Sequence, residues 1–261
     1  MIIVYPKSLV SKKVDEMFEE EYLCIKKMFD TCLVDQDNLL SKKDLPLPAG
    51  LTLLYRGWML PEDVYSHLND CAVHCQSSLV VSPQQYLLSH HINNWYPLVK
   101  QDTAQTVFGS EHHLPPIPFE ECFVKDFVKS SSKSLCKKEN IAQAILAIKH
   151  HRQGIEGGIA IRQKEEYVSD EYRSFVVNQR LFTNPQQHLP QQAVALLEKT
   201  APLLLSPFSS VDIRCRQDGK WRIVEIGDGQ VSDFKEWDVQ DFASMIKHGF
   251  SPSVKFKPPT P

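Results

Sequence analysis

Asp212, Glu225 and Asp228 are spaced so that a single hairpin would gather their oxygens. Residues Val211–Cys215 read as a strand carrying Asp212. Ile223, Val224 and Ile226 mark a second apolar strand that brings Glu225 out to a Gly227-Asp228-Gly229 turn. Between them, Gln217-Asp218-Gly219-Lys220 reads as a tight turn, because Asp-Gly supplies the positive φ such turns need. Clustered carboxylate oxygens suit a hard cation such as Mg²⁺, which commonly binds a few carboxylates together with phosphate oxygens. The chemistry so marked is nucleotide chemistry without a P-loop.

Cations that would meet phosphates lie upstream. Lys125 sits on a strand, Cys122–Lys125, that runs into the polar stretch Ser130–Ser134. A strand-borne lysine can meet phosphates as a point charge. Backbone N–H groups of the serine-rich loop could fold over them. A solvated basic loop explains the same residues, since Lys125, Lys129, Lys133, Lys137 and Lys138 make the region basic. In Glu171–Val177, Glu171 and Arg173 share a face by the two-residue period of a strand. Arg173 offers a planar fork for phosphate or carboxylate; an ion pair across a sheet is the plainer alternative.

Two kinds of lobe would position these groups. Residues 2–5 read as a buried strand, Val10–Asp30 as an amphipathic helix, Thr52–Arg56 as a strand and Pro61–Asn69 as a helix. Ser78–Val81 is a short strand, and Ser82-Pro83-Gln84-Gln85 opens a helix with a capping box. That alternation predicts an α/β lobe with a parallel sheet over about residues 1–100. Gly109–Pro118 is rich in Pro and His and reads as a boundary. Beyond it come strands at Cys122–Lys125, Gly158–Arg162 and Glu171–Val177, helices near Asn140–His150 and Gln191–Thr200, and the acidic hairpin. This block reads as an α+β lobe, and Ser251–Pro261 as an extended Pro-rich tail.

The ordered set of strand lysine with flexible loop, hinge strand, Glu-x-Arg strand, Asp strand and Glu strand resembles the ATP-grasp superfamily over roughly residues 120–240. Tyr55-Arg56-Gly57-Trp58, Glu171-Tyr-Arg173-Ser-Phe-Val-Val177 and Val224–Ser232 are most similar to its bacterial and viral clade marked by two arginines and a lysine. The resemblance implies an ATP-grasp fold of mixed α/β and α+β class. Its N-terminal α/β pre-ATP-grasp domain would span 1–115 and its antiparallel-sheet nucleotide-binding domain 116–261. It implies Lys125 as phosphate lysine, Lys100 as a candidate second one, and a hinge at Ile161–Lys164 whose Arg162, Gln163 and Lys164 meet adenine. It further implies that Glu171 holds the ribose and that Asp212 and Glu225 bind Mg²⁺. The third ligand of the family is commonly an Asn two residues after that Glu. Gly227 stands there, so Asp228 is expected to substitute.

The activity so implied is an ATP- and Mg²⁺-dependent ligase, turning ATP into ADP and phosphate. It would join a carboxylate to an amine or thiol through an acyl phosphate, the acceptor being a peptide or protein. Arg173 and Arg214 would stabilise the transferring group, and Arg56 would bind the acceptor's carboxylate. Two alternatives share the site: an ATP-binding assembly protein of the cell-division-cycle type, and an ATP-grasp phosphotransferase.

The chain of 261 residues has 42% hydrophobic and 23% charged residues, ordinary for a globular protein, and a net charge of −3. No global field recruits nucleic acid, and no apolar run nears the ~18–20 residues of a membrane span. Seven cysteines at irregular spacing predict reduced thiols and a cytoplasmic setting. Cys71, His74 and Cys75 lack a fourth zinc ligand, so buried thiols are expected. His91 is the best candidate general base among the histidines. Asn93–Pro97 reads as an aromatic core or lobe contact, or as a substrate wall, and Lys235 as a surface residue or a phosphate contact.

Overall fold

The computed structural model describes residues 1–128, 134–152 and 154–251. Most of the Ser130–Ser134 loop, with Lys129 and Lys133, and the tail beyond Ser251 therefore lie outside the described residues. The first sheet has the order β2-β1-β3-β4, all parallel. β1 (Ile2–Lys7) begins with the apolar run Ile2–Tyr5, and Ile3–Pro6 are buried on both faces, as parallel central strands require. β2 (Asp30–Asp35), β3 (Thr52–Tyr55) and β4 (Ser78–Leu79) flank it.

The connections are α1 (Glu19–Ile25), α2 (Gln36–Leu40) and α3 (Glu62–His74). The helix expected over Val10–Asp30 is a correction. Only Glu19–Ile25 is α-helical, after a 3-10 turn at Glu16–Phe18. Leu9 and Val10 are exposed, and Asp30 already begins β2. That strand exists through its pairing with β1, a non-local partner invisible to helical periodicity. α4 (Pro83–His90) has the expected Ser82 capping box, with Gln85 reciprocating. α5 (Ile92–Val99) follows at once, and His91 is the extended corner between the two.

The other two sheets are antiparallel. β5 (Thr106–Gly109), β6 (Glu121–Asp126), β7 (Ser134–Lys137) and β8 (Ile159–Gln163) form one, in the order β5-β8-β6-β7. α6 (Ile141–Arg152) belongs with this sheet, and Ile141, Ala144, Ile145 and Ile148 enter its core. β5 is thus an edge of this sheet although it precedes residue 115. The last sheet has the order β10-β9-β11-β12. Its strands are β9 (Tyr172–Val177), β10 (Arg180–Phe182), β11 (Phe208–Cys215) and β12 (Trp221–Asp228). Gly219, at φ 79°, makes the β11–β12 turn that the Asp-Gly pair predicts.

The last sheet buries both faces. Val176, Val211, Ile213, Ile223 and Ile226 pack with α7 (Gln191–Thr200) and α5. Phe175, Val177 and Phe208 join the core of the first sheet through α8 (Val239–Phe250). Ala193, Leu196, Leu197 and Thr200 line the buried stripe of α7, the spacing of an amphipathic helix. Among the described residues no helix is long and apolar enough to cross a membrane.

Candidate nucleotide site

Strand register sets the charges of the site. Arg173 on β9 lies opposite Asp212 on β11, and Asp212 opposite Glu225 on β12. The three therefore share one face of the sheet, at the end where apolar Phe175 and Phe208 give way to charge. Arg173 grips Asp212 with two parallel bonds, Nε–Oδ1 at 2.8 Å and Nη2–Oδ2 at 2.6 Å. Its Nη1 also donates to the Asp233 carbonyl at 2.9 Å and to the Asp233 carboxylate. From the other antiparallel sheet, Lys125 Nζ meets Glu225 Oε1 at 2.8 Å. All four side chains of this row, Arg173, Asp212, Glu225 and Lys125, are buried, and charges out of water persist only when paired. Lys235 adds a further cation, bonded to Glu171 and 3.7 Å from Asp212 Oδ2.

A cavity of about 360 Å³ adjoins this charge row. Lys125, Arg162, Gln163, Lys164, Glu171 and Arg214 all border it. Six of the residues expected from the sequence are thus brought to one place. Arg162 donates to the Val224 carbonyl at 2.7 Å and to Thr103 Oγ1 at 2.8 Å. Its Nε is buried with no hydrogen-bond partner, so one donor is left over at the wall. Burial also lowers its pKa from the ordinary arginine value. Arg214 donates twice to the Ser169 carbonyl and stacks 4.9 Å over Tyr167.

Val224 is the extra residue of a β-bulge, since Asp212 pairs with Glu225 but Ile213 with Ile223. The bulge interrupts strict alternation and puts Val224 on the cavity wall beside Glu225. Phe123 is apolar lining two residues before Lys125 on β6, the same-face spacing of a strand. Glu165 also lines the cavity, held by Arg216 at 3.1 Å and Arg222 at 3.2 Å. None of these three is among the residues expected from the sequence. The Phe123–Lys125 spacing is a signal that could have found one of them; the bulge leaves none.

Three expected residues lie elsewhere. Asp228 is on the strand face opposite Glu225's side and caps the following turn. Its Oδ1 accepts from the Gln230 backbone at 2.9 Å and side chain at 3.1 Å, and its Oδ2 from Ser89 at 3.4 Å. Burial pushes its carboxyl up to about 7. It is a buried cap, not a third metal ligand. Arg56 does not face the cleft: Glu21 takes Nε and Nη2, and Nη1 donates to the carbonyls of Gly229, Gln230 and Ser232. With 1% exposure and its guanidinium held by Glu21 and three carbonyls, it is closed off from an acceptor carboxylate. Lys100 is exposed at the end of α5 and is not part of the cavity lining.

The remaining motifs resolve as follows. Cys71 sits 3.5 Å from His67 on α3, and all seven cysteines are free. Trp95 of the Asn93–Pro97 stretch is core, beneath the Arg162 guanidinium at 5.6 Å. His91 is 3.3 Å from Glu156 and does not line that cavity.

Sequence comparison agrees with this geometry. Residues 89–246, more than half of the chain, match the ATP-grasp domain of family 3 in the clade marked by two arginines and a lysine. The chain belongs to that family. No curated protein matches it in sequence. Solved ATP-grasp structures share its architecture. A RimK domain ATP-grasp protein from Sphaerobacter thermophilus has a TM-score of 0.64 at 17% identity, covering 95% of this chain and 100% of that one. D-alanyl-alanine synthetase A from Vibrio cholerae gives 0.62 at 12%, covering 97% and 95%. The macrocyclase MdnC from Microcystis aeruginosa, bound with its precursor peptide MdnA, gives 0.59 at 10%, covering 95% and 100%. At these identities the likeness establishes the ATP-grasp fold.

Proposed function

We propose that this ATP-grasp protein binds Mg·ATP in the 360 Å³ cavity and ligates a carboxylate to an amine or thiol. The observation that carries the reading is the buried row Arg173–Asp212–Glu225–Lys125 at the cavity's edge. Two registered carboxylates, each matched by a cation, fit a divalent ion with phosphates. The metal and phosphate charges can replace the partners that hold the row together. Asp212 and Glu225 would hold the Mg²⁺, which neutralises phosphate charge when bound. Lys125 then exchanges Glu225 for phosphate oxygens. Arg173 acts as a positioning residue, since its fork is taken up by Asp212 and Asp233. Arg162 and the Gln163–Lys164 backbone line the adenine side, and Glu171 with Lys235 the ribose side.

In the reaction a substrate carboxylate oxygen attacks the γ-phosphorus, the bond to the β-bridging oxygen breaks and ADP leaves. The amine nitrogen attacks the acyl carbon, loses its proton, and phosphate leaves. Arg214, which lines the cavity, would meet the developing phosphoryl charge. Arg56 serves only to hold the turn after β12. The acceptor we favour is a peptide or protein, on the likeness to a macrocyclase bound with its precursor peptide. Free thiols support a reducing, cytoplasmic setting. The nucleotide-binding lobe would include β5 and so begin before residue 106.

Gly227 in place of the family's metal-binding Asn favours a second reading, nucleotide binding without turnover in an assembly protein. Product analysis separates the readings. Incubation with ATP, Mg²⁺ and paired carboxylate and amine pools should release ADP and free phosphate only when both pools are present. ADP with a phosphorylated product and no free phosphate would mean a phosphotransferase. Tight binding with no ADP from any pool would mean an assembly role.

A further inference from the structure

We propose that His90, His91 and Glu156 form a second metal site, for a zinc-type cation. Their ligand atoms all lie within 4.8 Å of one another, the only such group of three among the described residues. His91 Nε2 is 3.3 Å from Glu156 Oε1, and His90 Nε2 is 3.9 Å from the same oxygen. Bonds of about 2.0–2.1 Å in a tetrahedron put neighbouring ligand atoms ~3.3 Å apart. The His91–Glu156 pair therefore already stands at that spacing, and His90 lies somewhat farther off.

Consecutive histidines ordinarily diverge. Here His90 ends α4 and His91 is the extended corner at φ −100°, ψ 124°. The corner leaves the two rings stacked, 5.4 Å apart at 30°. Tyr86 stacks on His90 at 4.4 Å and Tyr65 on Tyr86 at 4.1 Å, so the aromatic column fixes the ring. Glu156 arrives from a separate element, the segment before β8. One residue holds both sides: Phe127 N donates to the Glu156 carbonyl at 3.2 Å, and Phe127 O accepts from Ile92 N at 2.8 Å. His91 also bridges to Val128. The backbone thus pre-forms the site before any ion binds.

Two imidazoles and one carboxylate are the donor set of zinc and of related borderline cations, whereas Mg²⁺ takes oxygen. Both histidines are buried, and Glu156 is partly open. A cavity of about 330 Å³, lined by Pro61, Glu62, Asp126, Gly154, Ile155 and Glu156, reaches the carboxylate and offers an entry path with room for a fourth ligand. None of the three ligands borders the nucleotide cavity. The ion would tie the α4–α5 corner of the first lobe to the β6–β8 sheet of the second.

The test uses the full chain, stripped with a chelator and titrated with Zn²⁺ alone against a chromophoric zinc indicator. The wild type should take up one equivalent, with a rise in Tm that grows with zinc concentration. His91→Ala and Glu156→Gln should each lose both, with unchanged circular dichroism. Glu156→Gln, on a partly exposed side chain, keeps the test valid should the buried histidine variant fail to fold. Cys71→Ser and Glu225→Gln should each keep the full equivalent. Wild-type protein that takes up no zinc, or loses it through Cys71→Ser or Glu225→Gln rather than through the cluster variants, would overturn the assignment.

Discussion

Lys125 on β6 and Glu225 on β12 form a buried ion pair at 2.8 Å between two sheets that, among the described residues, share no hydrogen-bonded strand pair. The pair joins the lysine strand to the acidic hairpin, and removing Lys125 takes away the cation that Glu225 holds at hydrogen-bond distance. Lys125→Met should destabilise the protein by roughly 3–5 kcal/mol, the range for breaking one partner of a buried pair. Adding Glu225→Gln should recover part of that loss, because the buried carboxylate that Lys125 balanced is removed with it. Denaturant midpoints of the two single variants and the double variant measure the coupling.

Asp228 gives a pH dependence whose sign follows from burial. Its carboxyl is raised to about 7, above its unfolded value near 4. The folded state therefore holds a proton that the unfolded chain has released between these limits. Stability from this group is full below pH ~4, falls as pH rises, and levels off above about 7. The loss is of the order of 4 kcal/mol. Asp228→Asn keeps an acceptor for the Gln230 backbone and carries no charge. It should flatten the stability profile from pH 5 to 8, read from thermal midpoints, while Mg·ATP binding persists. Lost nucleotide binding would restore Asp228 to the metal.

Arg56 and Glu21 are predicted to act on stability alone. Arg56→Met removes five hydrogen bonds and leaves buried Glu21 without its cation, with only the Tyr5 hydroxyl, among the described residues, still donating to it, so a loss of roughly 3–5 kcal/mol is expected. At a temperature where the variant remains folded, its ATP affinity should equal that of the wild type. An affinity lowered without a stability change would return Arg56 to the cleft.

What is legible in the chain is local. The Ser82 capping box, the Asp218-Gly219 turn and the α7 stripe are written in adjacent residues, and the structure contains each of them. The pairing of Asp212 with Glu225 is legible too, because a hairpin is a short-range object. β2 is not, since its reason is a partner elsewhere in the chain. Asp228 and Arg56 mislead for a related cause. Residue type suggests a ligand or an anion clamp, but burial and non-local carbonyls decide which groups remain for substrate. Lys235 stays open between surface and site in the sequence, because its contact with Glu171 depends on how the turn after β12 folds back.

Glu171 should show itself through the sugar. It is bonded to Lys235 and lines the cavity, and the proposed reading gives its carboxylate the ribose hydroxyls. Glu171→Gln should weaken ATP binding about tenfold, roughly 1.4 kcal/mol. Binding of 2′-deoxy-ATP, already short of that hydrogen bond, should weaken much less. Equal losses for both nucleotides would place the ribose elsewhere.

The most direct measurement is calorimetric titration of the protein with ATP, with and without Mg²⁺, beside Glu225→Gln. The wild type should bind ATP with an affinity that rises on adding Mg²⁺. The variant, folded by circular dichroism, should lose that magnesium dependence. A variant that binds Mg·ATP as the wild type does, or a wild type that binds no ATP, would contradict a nucleotide site built on the Lys125–Glu225 and Arg173–Asp212 pairs.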